Sequence, residues 1–133
     1  MLSIVVIDDD AGIRGALRRV LGAAAYKVFT AASTDDGLTA IQQHRPDLVL
    51  LDVRMPHKSG IQLLEDLKRL GVSARVVMLT GMGEPDVMKA CQELGAVDFL
   101  MKPISPDYLL KVVALRIAQP LGGSSSTTLP RGA

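Results

Sequence analysis

Short apolar runs of strand length alternate with stretches of helical spacing along most of the chain. The runs are rich in β-branched residues, and two of them, LVLL and VVML, are continuously apolar, as in strands buried on both sides. The five runs are Ile4 to Ile7, Val28 to Ala32, Leu48 to Leu51, Val76 to Leu79 and Val97 to Met101. This strict alternation predicts an α/β fold, a doubly wound five-stranded parallel sheet with helices on both faces, because right-handed crossovers leave little other choice.

Signals for the ends of helices fall between these runs. Serines that can cap a following helix occur at three places, Ser33, Ser59 and Ser105. We expect Asp10 to cap the helix that begins at Ala11, and not to act as a ligand, because Asp is a leading N-cap residue. Glycines stand where three of the helices should end, at Gly22, Gly71 and Gly95. These signals support the alternation predicted from hydrophobicity.

The composition indicates one folded domain without a surface for nucleic acid. The chain has 133 residues, which suits a single core, and its 48% hydrophobic and 22% charged residues are typical of folded proteins. Its 15 basic residues nearly balance 14 acidic ones, and it has no Trp, so direct nucleic-acid binding is not expected. The single cysteine, Cys91, is expected to be a core residue.

The two ends of the sequence are unlike each other. The first residues, MLSIVVIDDD, have no basic leader region, and no apolar run approaches the ~20 residues that a membrane span needs. We therefore expect no membrane association, and the cytoplasm is the expected location. From Gln119 onward the chain is rich in Gly, Ser, Thr and Pro. This change predicts a domain over residues 1–118 and a flexible tail or linker over residues 119–133.

Polar residues follow four of the five predicted strands. They are Asp8 and Asp9 after the first strand, Asp52 after the third, Thr80 after the fourth and Lys102 after the fifth. In an open parallel sheet the functional crevice lies beyond the carboxyl ends of the strands. If the first and third strands are neighbours, the three carboxylates converge there, and two of them ~4 Å apart repel by roughly 4 kcal/mol at an effective dielectric constant of 20.

Such a cluster must either keep a proton or bind a divalent cation. Ligands that are all oxygen favour a hard ion, with Mg²⁺ first and Mn²⁺ second. A hard cation beside an ammonium group from Lys102 and a hydroxyl group from Thr80 also makes a cradle for a phosphoryl group. Asp52 is then free to act as a nucleophile and to form an acyl phosphate.

Four motifs occur in a familiar order, namely IDD, LLDVRMPHKSG, VVMLTG and GAVDFLMKP. With this order and spacing, residues 3 to 118 resemble the receiver domains of bacterial two-component response regulators. The resemblance implies the flavodoxin-like strand order 2-1-3-4-5 and a phosphoacceptor switch that is not a classical enzyme. It implies that Asp52 accepts a phosphoryl group from a sensor histidine kinase. It also implies that Asp9, Asp52 and the backbone carbonyl group of Arg54 bind Mg²⁺, and that Asp8 holds metal-bound water.

The resemblance further assigns the parts of a conformational switch. Thr80 corresponds to the switch hydroxyl, Phe99 to the switch aromatic residue and Lys102 to the phosphate-binding ammonium, followed by a cis peptide bond to Pro103. Phosphorylation is expected to alter the face made by the fourth helix, the fifth strand and the fifth helix. An output domain, a downstream protein or a second copy of the domain would read that face. Met82 offers no group to orient attacking water, which predicts a long-lived phosphoryl group.

Two other functions are open from the residues. Asp-x-Asp after a strand, in VVIDDDAG, also suggests a small phosphatase of the haloacid dehalogenase type with Asp8 as nucleophile. Gly12 then stands where Thr or Val is expected, and Asp52 has no role. A constitutive interaction module that never takes phosphate is the third possibility.

Three arginines of the first helix either form a solvated face or dock a kinase; they are Arg14, Arg18 and Arg19.

Overall fold

The five apolar runs form one parallel sheet. In the computed structural model, which describes residues 1–81 and 83–120, the strands are β1 (Ser3–Ile7), β2 (Lys27–Ala31), β3 (Leu48–Asp52), β4 (Val76–Thr80) and β5 (Asp98–Met101). Every pairing is parallel, and the strand order is β2-β1-β3-β4-β5. The predicted fold class and strand order are therefore confirmed.

Five helices connect or follow these strands. They are α1 (Ala11–Ala23), α2 (Thr34–His44), α3 (Gly60–Arg69), α4 (Pro85–Glu93) and α5 (Pro106–Ile117). Asp10 caps α1 as predicted, since its side chain accepts hydrogen bonds from the backbone N–H groups of Gly12 and Ile13. The three predicted serine caps are also present, and Ser59 forms a complete capping box with Gln62.

The prediction that Gly22 ends the first helix is wrong. Helix α1 continues to Ala23, and the residue with left-handed backbone is Ala25, with φ of 72°. Leu21 is fully buried, so packing holds this last turn in place, and its carbonyl oxygen accepts the N–H groups of Ala24 and Tyr26. Gly71 and Gly95, by contrast, follow α3 and α4 with positive φ as predicted.

Alternate residues of the strands enter two separate cores. Val5 and Ile7 of β1 face a cluster that includes side chains from α2, α3 and α4. Ile4 and Val6 face a second cluster that includes side chains from α1 and α5. Strands β3 and β4 are buried along their whole length. The sheet is thus covered on both faces, and polar groups are left to collect at its edges.

The start of α3 lies exceptionally close to the end of β3. Gly60, the first residue of α3, donates its N–H to the carbonyl oxygen of Val53 at 2.9 Å. A Cβ atom at position 60 would lie 2.2 Å from the carbonyl oxygen of Asp52, which is closer than real Cβ atoms approach. Only glycine allows this approach. The packing of α3 therefore helps to hold Asp52 in place.

Two further sequence predictions concern burial and membranes. Cys91 is fully buried in α4, as expected for a core residue. Among the residues that the structure describes, no helix has the length and apolar character needed to cross a bilayer. The predicted flexible tail or linker over residues 119–133 lies, from residue 121 on, outside the described residues, and so does Met82.

Candidate functional site

Three carboxylates meet at the carboxyl edge of the sheet, as the sequence predicts. Asp8 and Asp9 follow β1, and Asp52 ends β3; each offers a carboxylate oxygen, and these oxygens lie within 4.8 Å of one another. The pairing of Ile7 with Leu51 brings these two strand ends side by side. Asp8 and Asp52 are buried, whereas Asp9 is exposed to solvent.

Lys102 reaches into this cluster from the end of β5. Its Nζ atom lies 2.9 Å from Oδ2 of Asp8 and 3.1 Å from Oδ2 of Asp52. The backbone N–H of Lys102 donates to the carbonyl oxygen of Thr80 at 2.8 Å, and the following peptide bond to Pro103 is cis. The predicted convergence of Lys102 with the two buried aspartates is therefore present in the structure.

The cluster carries an electrostatic imbalance. Burial raises the pKa of Asp52 above its ordinary value of 3.8, and the Asp8 carboxylate adds to this effect, while Lys102 and the backbone N–H of Arg54 oppose it. Burial alone would lower the pKa of Lys102, but its contacts with Asp8 and Asp52 outweigh burial and raise it. Three carboxylates thus face one ammonium group, and a further positive charge would stabilise them.

The oxygens of the cluster fit a hard divalent cation. Oδ2 of the fully buried Asp8 has Lys102, at 2.9 Å, as its one close partner among the described residues, and a carboxylate oxygen can accept more than one such contact. Oxygen atoms in a partly open site are the ligands that Mg²⁺ prefers, with water completing the coordination. The remaining capacity of this buried oxygen and the all-oxygen donor set fit a hard divalent cation.

The other predicted site residues border the cluster. The backbone N–H of Arg54 donates to Oδ1 of Asp52 at 3.3 Å, and its guanidinium group pairs with Glu84. Thr80 is buried at the end of β4, next to the strand that Asp52 ends. Phe99, in β5, is half-buried and packs against the core cluster on the α2, α3 and α4 side.

One contact at the site was not anticipated from the sequence. Arg14, expected on a solvated or kinase-docking face, donates from Nη1 to the backbone carbonyl oxygen of Asp8 at 2.8 Å. A main-chain carbonyl group exists at every position, so no pattern in the sequence marks it as the partner of an arginine. No signal in the sequence therefore predicts this contact.

The fold and the site together define a class of protein, a flavodoxin-like α/β domain with an acidic, lysine-containing crevice at the carboxyl ends of its strands. The chain belongs to the response regulator receiver domain family, whose family model matches residues 4–114. The earlier resemblance is therefore confirmed. The chain is a receiver domain, a phosphoacceptor of two-component signalling and a regulatory domain rather than a classical enzyme.

Individual relatives agree with this assignment. The chain is 36% identical over 110 residues to the sporulation initiation phosphotransferase F of Bacillus subtilis, covering 83% of this chain and 89% of that protein. It is 39% identical over 110 residues to the phosphate regulon transcriptional regulatory protein PhoB of Pseudomonas aeruginosa, covering 81% of this chain and 48% of that protein. The chain thus spans about half the length of this transcriptional relative.

Solved structures show the same fold. The chemotaxis protein CheY4 of Vibrio cholerae superposes with a TM-score of 0.83 at 29% identity, covering 87% of this chain and 98% of that one. A CheY-like receiver domain from Methanospirillum hungatei gives the same TM-score at 28% identity, covering 88% and 94%. Receiver domains generally bind Mg²⁺ at an acidic cluster and interact with histidine kinases and output domains. None of these relatives supports the phosphatase alternative.

Proposed function

We propose that Asp52 is the residue of this receiver domain that accepts the phosphoryl group, with a sensor histidine kinase as donor. The observation that carries the proposal is Lys102, whose Nζ lies 3.1 Å from Oδ2 of Asp52 and also contacts Asp8. A carboxylate oxygen of Asp52 attacks the phosphorus of phosphohistidine. The new P–O bond forms as the P–N bond breaks, and the histidine nitrogen keeps the electron pair.

The neighbouring groups have distinct roles in this proposal. Lys102 stays protonated at neutral pH, because its pKa is raised by the two carboxylates, and it binds an oxygen of the transferred group. The hydroxyl group of Thr80 follows the new charge. Asp8, Asp9, Asp52 and the backbone carbonyl group of Arg54 would hold Mg²⁺, with Mn²⁺ as a substitute. A cation bound there would supply positive charge to the phosphoryl oxygens.

An apolar groove beside Lys102 supports docking of the kinase at this edge. The groove has a volume of about 420 Å³ and is lined by Ile13, Ala16, Leu17, Lys102, Pro103 and Ile104. It joins α1 to the segment between β5 and α5, so a kinase helix placed in it would lie next to the phosphoacceptor. We infer that this groove takes the apolar face of such a helix.

The output of the switch is proposed to be the face made by α4, β5 and α5. Phosphorylation adds charge at Asp52, Thr80 moves toward it, and Phe99 turns into the space that Thr80 leaves. The face already exposes large apolar side chains, since Met101, Tyr108 and Leu115 are 51%, 54% and 61% exposed. These side chains suit an output domain, a downstream protein or a second copy of the chain.

The proposal also includes the bounds of the domain and the location of the protein. We place the receiver domain at residues 1–118 and a tail or linker at 119–133. We expect the protein to act in the cytoplasm, where histidine kinases meet their receivers.

The lifetime of the phosphoryl group is expected to be long, because a methionine side chain at position 82 has no group that can orient an attacking water molecule. Met82→Glu should therefore shorten that lifetime.

Peptide mapping after treatment with acetyl phosphate and Mg²⁺ tests the phosphoacceptor. We expect one added phosphoryl group on Asp52, none in EDTA, and none in Asp52→Asn. Asp36→Asn is the matched control, because Asp36 is an exposed aspartate of α2 that is not one of the clustered carboxylates. Full labelling of Asp52→Asn would refute the proposal. An adduct on Asp8 with multiple turnovers would favour the phosphatase, and no Mg²⁺-dependent adduct would favour a constitutive interaction module.

A further inference from the structure

Arg14 closes a loop around the turn that carries two of the three carboxylates. It lies in the first turn of α1, is half-buried, and donates from Nη1 to the carbonyl oxygen of Asp8 at 2.8 Å. Its own backbone N–H donates to the carbonyl oxygen of Asp10 at 3.0 Å. One side chain therefore ties the end of β1 to the start of α1.

This contact completes the fixation of Asp8. The backbone N–H of Asp8 donates to Ala31 at 3.1 Å, and its Oδ1 accepts the N–H of Asp10 at 2.9 Å. Asp10 in turn caps α1. With the carbonyl oxygen held by Arg14, the main chain is constrained on both sides of the exposed Asp9. The directions of the Asp8 and Asp9 carboxylates depend on this constraint.

The positive charge of Arg14 would by itself weaken the binding of a cation at this site. A guanidinium group beside a cation site repels the cation, so its removal should tighten cation binding if charge alone matters. A role in positioning the turn predicts the opposite, because partners that orient metal ligands typically improve metal affinity 10- to 100-fold. The sign of the change in affinity therefore separates the two roles.

We propose that Arg14 is a positioning residue of the phosphoacceptor site, which holds the β1–α1 turn so that the Asp8 and Asp9 carboxylates face a divalent cation. The inference rests on the proposed function in naming the cation. The hydrogen bond to the Asp8 carbonyl oxygen carries the effect, and the guanidinium charge does not. Lysine at this position keeps the charge and can donate a single bond, so it should restore part of the effect.

Calorimetric titration with Mg²⁺ is the first test, and it needs no kinase or phosphodonor. We expect Arg14→Met to weaken Mg²⁺ binding about 10-fold and Arg14→Lys to weaken it less. The matched controls, Arg18→Met and Arg19→Met, remove the same charge from exposed positions of the same helix. They should bind Mg²⁺ as tightly as the parent or slightly more tightly. Unchanged or tighter binding by Arg14→Met would overturn the proposal.

Amide hydrogen exchange in EDTA is the second test, and it is independent of phosphorylation. In Arg14→Met the N–H of Asp10, which donates to Asp8, should exchange about 10-fold faster, whereas amides of β3 serve as an internal reference. Equal exchange at Asp10 would refute the positioning role. If Asp52 takes no phosphoryl group but these effects appear, the proposed function fails and the positioning role stands. Arg14→Lys, which keeps a long side chain, supplies both tests if Arg14→Met does not fold.

Discussion

Alanine at position 60 should damage the protein more than its small size suggests. The added Cβ would lie 2.2 Å from the carbonyl oxygen of Asp52, 3.1 Å from its carbonyl carbon and 3.2 Å from Cγ of Leu51. Two of these three atoms belong to the main chain of a fully buried strand, so they cannot rotate away. To restore a tolerable contact, α3 must move away from β3 by roughly 1 Å.

The cost of Gly60→Ala follows from that displacement. Overpacking a tight contact costs about 1–3 kcal/mol, and stretching the hydrogen bond from Gly60 to Val53 adds about 1 kcal/mol. Alanine returns at most about 1 kcal/mol of helix propensity. We therefore expect the free energy of unfolding to fall by about 1–3 kcal/mol, a substantial share of a typical total of about 5–15 kcal/mol. Because the displaced carbonyl group belongs to Asp52, the proposed phosphorylation of Asp52 should slow as well.

Urea unfolding followed by circular dichroism measures this change, since the chain has no Trp for fluorescence. Gly15→Ala is the matched control, because Gly15 lies within α1 and a Cβ there would meet no atom within 4 Å. That variant should gain about 0.5–1 kcal/mol. Replacement of glycine by alanine is thus expected to lower the free energy of unfolding at position 60 and to raise it at position 15. A Gly60→Ala protein within about 0.5 kcal/mol of the parent would refute the reasoning.

Two ion pairs give further predictions. Arg116 donates from Nε to Oδ2 of the buried Asp98 at 2.8 Å, and a hydrogen bond between charged groups contributes about 1.5–3 kcal/mol, so Arg116→Met should lower the free energy of unfolding in urea by about 2 kcal/mol. A loss below about 0.5 kcal/mol would contradict a role for this pair. Lys58 and Arg69 lower the pKa of Asp66 below 3.8, so its contribution to stability is present at neutral pH and lost as the pH falls through its folded-state pKa. The free energy of unfolding of Asp66→Asn should therefore be about 0.5–1 kcal/mol below that of the parent at neutral pH, and this difference should shrink below pH 3.8. A difference that does not change with pH would argue against the prediction.

Much of the fold was predictable because it rests on local periodicity. Strands such as LVLL and VVML had to be buried on both sides, and the caps at Asp10 and Ser59 depend on residues only a few positions away. The acidic cluster was also predictable, since parallel strands bring their carboxyl ends to one edge. Asp8 and Asp52 meet there because of that topology, and Lys102 follows from the same rule.

Contacts to the main chain were not predictable. Arg14 binds a carbonyl oxygen of Asp8, and Arg75 binds the carbonyl oxygens of Asp47 and Gln119. Such acceptors are the same at every residue, so composition and spacing carry no information about them. The prediction at Gly22 failed for another reason. Glycine is a weak helix former, but the burial of the neighbouring Leu21 stabilises the last turn of α1 and extends the helix past Gly22.

The contact between Arg75 and Gln119 places the end of α5 at the amino edge of the sheet. Arg75 directly precedes β4, so Gln119, near the end of the second described range, lies at the edge opposite Asp52. The five residues of a strand separate the two edges by roughly 16 Å. Under the proposed function, a charge gained at Asp52 would therefore lie at the opposite edge from residue 120, and a change in how β4, β5 and α5 pack together would be needed to carry its effect between the two edges.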